Sequence, residues 1–171
     1  EDMLPTLLAA AGDPNIKDEL LRGYSARGRD YKVHLDGYNL LPYLKGEVSE
    51  APRKEFLYWT DDGDLAALRY GQWKLQFLEQ RAHSFEVWQE PFVRLRAPKL
   101  FTLRGDPFER ADEEGIGYTI WRFDRLFALV PAQAYVAQWL QSFKDFPPRQ
   151  KSASFGIDQV MEKLTSPAGA Q

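Results

Sequence analysis

Few residues in this chain have the type and spacing to do chemistry. Only two histidines occur, His34 and His83, far apart in sequence, and neither belongs to a helical His-Glu-x-x-His, so an imidazole metal site within one element has no support. Cysteine is absent, which removes disulfides, thiolate metal sites and a cysteine nucleophile, and identifies no compartment. No two glycines stand four residues apart, so a Gly-x-Ser-x-Gly nucleophile elbow cannot be written. Gly23 and Gly28 have the spacing of a phosphate-binding loop, yet Arg29 and Asp30 stand where its Lys and Ser or Thr belong. Asp61, Asp62 and Asp64 lack the alternating ligands and distal glutamate of an EF-hand loop and read as a solvated hairpin turn.

The remaining candidates fall in residues 79–98, a stretch without steady period that contains Pro91 and Pro98. Long connections of this kind inside compact domains are often functional. His83 could supply a polar contact or simply face solvent. Trp88 and Phe92 could wall a ligand site, although aromatic residues in loops more often pin the loop onto a sheet. Arg94, with Arg96 and Lys99 beyond it, could meet an anion or form a solvated strand face.

The elements that must position this stretch follow from periodicity. Asp2 to Gly12 carries a cap residue, an early proline, helix formers and a terminal glycine, predicting a short helix over about 3–11. A helical turn fits Ile16 to Leu21, and Asn39 to Gly46 repeats the cap, apolar turn and glycine pattern as a second short helix. From Lys54 the pattern becomes that of strands: Lys54–Asp61, Leu65–Tyr70, Trp73–Leu78 and Lys99–Leu103, with Gly71-Gln72 as a tight hairpin turn and Arg104-Gly105-Asp106-Pro107 closing the last. Beyond Tyr118 the helical period returns. Ile120, Phe123, Phe127 and Val130 form one stripe ended by Pro131, and Val136, Trp139, Leu140 and Phe143 form a second, ended by Pro147-Pro148. A linker over 149–157 precedes a last short helix with Val160, Met161 and Leu164, and the tail after Ser166 should fray. The expected class is α+β, a four-stranded antiparallel sheet covered by C-terminal helices and preceded by short helices.

Composition sets the outer limits. With 171 residues, 44% of them apolar and 14% aromatic, the chain can bury enough large side chains to fold around one core. A net charge of −3 does not attract polyanions, so nucleic acid is a poor partner, and no apolar run approaches the roughly 20 residues of a membrane span. The opening residues already read as a helix start, as in a piece of a longer protein.

The order of segments resembles a known family. Asp2-Met3-Leu4-Pro5-Thr6-Leu7-Leu8 with Ala11-Gly12, Leu35-Asp36-Gly37-Tyr38-Asn39-Leu40-Leu41-Pro42-Tyr43-Leu44 with Gly46, Leu68-Arg69-Tyr70-Gly71-Gln72-Trp73-Lys74-Leu75, and Lys99-Leu100-Phe101-Thr102-Leu103 with Asp106-Pro107-Phe108-Glu109-Arg110-Ala111-Asp112 resemble the C-terminal third of type I sulfatases, the arylsulfatase branch of the alkaline phosphatase-like superfamily. The resemblance spans residue 2 to about 165. It implies that residues 1–53 are the tail end of an α/β catalytic domain lying largely outside this chain, and that 54–171 are the C-terminal subdomain. It also implies sulfate ester hydrolysis by a formylglycine made from a Cys/Ser-x-Pro-x-Arg motif beside a calcium ion.

This chain departs from that pattern. It has no Cys, and the residues two before its eleven prolines are Met3, Gly12, Leu40, Glu50, Gln89, Arg96, Gly105, Leu129, Asp145, Phe146 and Thr165, none of them Ser. Sulfate ester hydrolysis needs an activated nucleophile, positive charge for the sulfuryl oxygens and an acid for the leaving oxygen. No catalytic residue and no metal ligand is therefore assigned here, and calcium and formylglycine are expected only in the missing N-terminal part. The implied partner is the N-terminal sulfatase catalytic domain, with self-association through exposed apolar residues of 1–53 as a further expectation. Bacterial periplasm and cytoplasm are equally compatible. Some family members place a histidine from this region near the substrate, and Ala82-His83-Ser84 resembles that stretch, so His83, Trp88, Phe92 and Arg94 are the candidate substrate contacts. The competing reading is a stand-alone binding module that uses the aromatic loop within 79–98.

Overall fold

The computed structural model describes residues 1–147. The linker over 149–157, the last short helix and the fraying tail expected from the sequence lie outside the described residues. Helix α1 (Met3–Ala10), α2 (Ile16–Arg22) and α3 (Leu41–Leu44) open the chain. Between α2 and α3 stands a hairpin of β1 (Tyr24–Ala26) and β2 (Arg29–Tyr31) that the sequence did not announce. Its two turn residues, Arg27 and Gly28, both take positive φ, 51° and 73°. That is the two-residue hairpin geometry usually signalled by Asn-Gly or Asp-Gly, and the arginine hides it.

Strands β3 (Glu55–Trp59), β4 (Leu65–Tyr70), β5 (Trp73–Glu79) and β6 (Val93–Thr102) form one antiparallel sheet in sequence order, so the expected architecture is present. Leu57, Leu68, Leu75 and Leu100 are direct partners across all four strands, a continuous apolar row exposed by no more than 8%. Helix α6 (Leu129–Asp145) lies over this row, with Ala132 buried against it and Tyr135, Val136 and Trp139 packed around it. Trp139 and Phe143 pack on Trp59 at ring distances of 5.3 and 6.0 Å, while Leu140 sits at the margin and is 38% exposed. Three of the four residues of the expected stripe thus face the sheet.

Three expectations are corrected. The irregular stretch at 79–98 is shorter than read, because β6 begins at Val93. Register passes from Gln76↔Lys99 to Leu78↔Arg94, so residues 95–98 are taken up against Phe77 alone. Pro98, which has no N–H to give a ladder, falls within that irregularity. Pro131 does not end a helix; it is the third residue of α6, where the missing N–H costs no intrahelical bond.

Finally, the stripe Ile120, Phe123, Phe127 and Val130 faces outward. Helix α5 (Tyr118–Phe123) is rotated by Tyr118 and Trp121 instead. The N–H of Leu100 on edge strand β6 donates to the Tyr118 hydroxyl at 3.1 Å, Tyr118 stacks on Phe101, and Trp121 stacks on Trp73. This covers an edge that would otherwise be free to pair with another strand. A 3₁₀ turn (Leu126–Ala128) then leads into α6.

The first 53 residues are held by polar contacts. Asp2 accepts from the Tyr38 N–H at 2.7 Å and from Arg53 Nε at 2.6 Å, and the Leu40 N–H donates to Thr6 Oγ1 at 2.9 Å. Gly37 is obligatory there, since a Cβ would stand 2.3 Å from the Glu1 carbonyl oxygen. Of the apolar residues expected to lie bare, Met3 and Leu7 are 63% and 59% exposed, whereas Leu8 and Leu41 are half-buried.

Leu68, 1% exposed at the centre of the row, offers a direct measure of this core. Leu68→Ala should cost about 3–4 kcal/mol in urea unfolding followed by tryptophan fluorescence. Leu140→Ala should cost less than about 1.5 kcal/mol; equal losses would mean that the row is not the core.

Candidate functional site

The connection from β5 to β6 is a 3₁₀ turn held at both ends. Its base is an ion cluster: Lys99 Nζ lies 2.6 Å from Glu79 and 2.5 Å from Asp112 in α4 (Ala111–Glu114), and Arg81 Nε lies 2.6 Å from Glu79. Burial works against the Lys99 ammonium, but its bonds to Asp112 and Glu79 outweigh this and raise its pKa. Lys99 in turn holds the Glu79 carboxyl below its ordinary range. Above the base, Gln80 closes the loop on itself, accepting from the Ala82 N–H at 2.9 Å and donating to the Glu90 carbonyl at 2.8 Å.

Within this frame His83 is the extended residue that precedes the 3₁₀ turn (Ser84–Trp88), and Ser84 takes a left-handed φ of 56°. Of the residues singled out from the sequence, His83, Trp88 and Phe92 share this loop, whereas Arg94 stands on β6 opposite Leu78 with its side chain exposed. Trp88 is 74% exposed, so it does not pin the loop onto the sheet.

Phe85, 84% exposed, was missed. The signal was its spacing of three from Trp88, because residues i and i+3 eclipse on a 3₁₀ turn and project together. The loop is thus a convex aromatic projection on a charged base. Cavities of about 720, 570 and 190 Å³ lie elsewhere, and residues 80–94 line none of the three.

A second concentration of chemistry, also missed, joins the N-terminal segment to the sheet. Glu55 is 9% exposed and accepts from the Tyr38 hydroxyl at 2.5 Å, the Lys54 N–H at 3.1 Å and the Tyr135 hydroxyl. Burial pushes its carboxyl up, yet these donors together leave it below the usual 4.5. The bond to Glu55, aided by burial, drives the Tyr38 phenol up to about 12, and burial followed by the same carboxylate raises Tyr135. Arg53 covers one face of the Tyr38 ring at 4.8 Å and holds the Asp2 carboxyl low. The sequence signal was the strand alternation, which puts Glu55 on the same face as Leu57.

Among the described residues no group of three or more His, Cys, Asp or Glu side chains could hold a metal ion, and no helix is long and apolar enough to cross a membrane. No protein-family profile and no curated protein sequence matches the chain.

Two outcomes follow from this geometry. Trp88→Ala should leave thermal stability within about 0.5 kcal/mol of the parent; a loss of 2 kcal/mol or more would restore the pinned loop. For the seam, a folded carboxyl held below 4.5 stabilises fully above that pH, and the stabilisation is lost as pH falls through the depressed value. Tyr38 acts in the opposite sense, with stabilisation complete below pH 10 and lost as pH rises towards about 12. Melting curves across both windows should therefore show Glu55→Gln with a shallower pH dependence than the parent at each end. Parallel curves would show that Glu55 does not couple the seam to protonation.

Proposed function

We propose that this chain is the C-terminal portion of an arylsulfatase-type sulfuric ester hydrolase, supplying packing and one wall of the substrate cleft while another part of the protein carries the chemical step. The observation that carries this reading is that the segments bearing the resemblance hold one another: Asp2 and Thr6 bind the backbone N–H groups of Tyr38 and Leu40, and Gly37 packs on Glu1 and Pro5. Supporting it, Met3, Leu4 and Leu7 of α1 are at least half exposed, as expected of a face that packs on an N-terminal catalytic domain.

The described residues do not fit the family's calcium, since no carboxylate cluster could hold it, and without Cys or a Ser-x-Pro-x-Arg motif the sequence offers no formylglycine precursor. No step is routed through either group. What the chain offers is the convex loop at 80–92, which becomes a cleft wall only opposite another surface. There an aryl group would meet Trp88, Phe85 or Phe92, and a polar group would meet His83 or Arg94.

The alternative, a stand-alone binding module that uses this loop, is favoured by the exposure of Phe85 and Trp88. A reading frame with an upstream Cys/Ser-x-Pro-x-Arg motif separates the two, and its absence would overturn the sulfatase reading. The purified chain should give no turnover of a chromogenic aryl sulfate with added calcium. In the complete protein, His83→Ala and Trp88→Ala should raise KM and leave kcat within about tenfold, less than about 1.4 kcal/mol in the barrier. A thousandfold fall in kcat for His83→Ala would place a catalytic group in this chain.

A further inference from the structure

The helical period across Ile120, Phe123, Phe127 and Val130 predicts a buried stripe, and these side chains are instead 71, 56, 72 and 70% exposed. Phe127 among them lines a cavity of about 570 Å³ between the first turns of α6 and the sheet, floored by Leu68, Trp73 and Leu75. On the α6 side it is lined by Pro131, Ala132 and Ala134, with Tyr135 and Gln138 beyond them. Further along the helix, Trp139 and Phe143 reach Trp59. Phe127 stands on the cavity rim with most of its ring outside. A knob and a hole are therefore adjacent on one apolar face.

We propose that this face pairs with the same face of a second copy of the chain, each Phe127 entering the other copy's cavity. Adjacent complementary features on one patch are what a two-fold axis requires, and the contact closes on itself without propagating. The four exposed side chains present on the order of 500 Å² per copy, at the upper end of the roughly 300–600 Å² apolar patch that monomers tolerate. With the cavity mouth and a polar rim the area approaches the roughly 800 Å² that each partner gives to a standard interface. The pairing stands independently of the arylsulfatase reading.

Sedimentation equilibrium up to about 100 μM should show a monomer–dimer equilibrium for the parent chain. Phe127→Ala removes the knob, and Ala134→Trp fills the hole from an exposed position. Each should raise the dimer Kd at least tenfold without lowering the melting temperature. Mixed together, the two variants should associate more tightly than either alone, because one intact Phe127 then meets one open cavity. A parent chain that stays monomeric would overturn the proposal, leaving the face to another partner. So would a dimer that both variants leave intact, or a mixture no tighter than its components.

Discussion

The structure turns on the position of one carboxylate. Strand alternation sends the side chain of Glu55 to the face of β3 that also carries Leu57, away from bulk water, where an ion without donors would be costly. Its donors come from three places in the sequence: the Lys54 backbone beside it, Tyr38 in the N-terminal segment and Tyr135 on α6. Satisfying the charge therefore ties the N-terminal segment and the covering helix to the same edge strand. Arg53 adds a second tie by joining Asp2 to the Tyr38 ring.

How far the sequence foretells this arrangement depends on how local each cause is. The strands were legible because alternation and tight turns are properties of neighbouring residues, and β4 matches its expected span. What failed depended on distant partners. Pro98 read as part of a long irregular excursion, since nothing local reveals that Phe77 lies opposite a stretch of β6 able to absorb it. The Ile120 stripe read as core, although the rotation of α5 is set by a hydrogen bond to Leu100 and a ring contact with Trp73. At the loop, three of the four candidate residues were placed together by composition and length, while Arg94 belonged to a strand whose start the prolines concealed.

The two regions that carry exposed aromatic surface differ in what supports them. Residues 80–92 project from an ion cluster and a single glutamine clamp, with the rings turned away from the sheet. A rigid base under an exposed tip suits recognition, since the tip need not be ordered anew at each encounter. At the start of α6, the exposed ring of Phe127 lines a cavity floored by Leu68 and Leu75 of the sheet core. The first is a convex tip on a braced base, and the second is an exposed ring beside a recess.

The seam also bears on the order in which the chain acquires its structure. Strands β3, β4 and β5 pair with their nearest neighbours in sequence, so their loops close early and cheaply. The bond from Tyr38 to Asp2 spans 36 residues and that from Arg53 to Asp2 spans 51. Contacts of such separation are gained late, after the entropy of closing long loops has been overcome. The N-terminal segment should therefore open from the meander at a lower free energy than the meander itself requires. Native-state amide exchange reads that hierarchy directly, as faster exchange at Tyr38 and Leu40 than at Leu68 and Leu75.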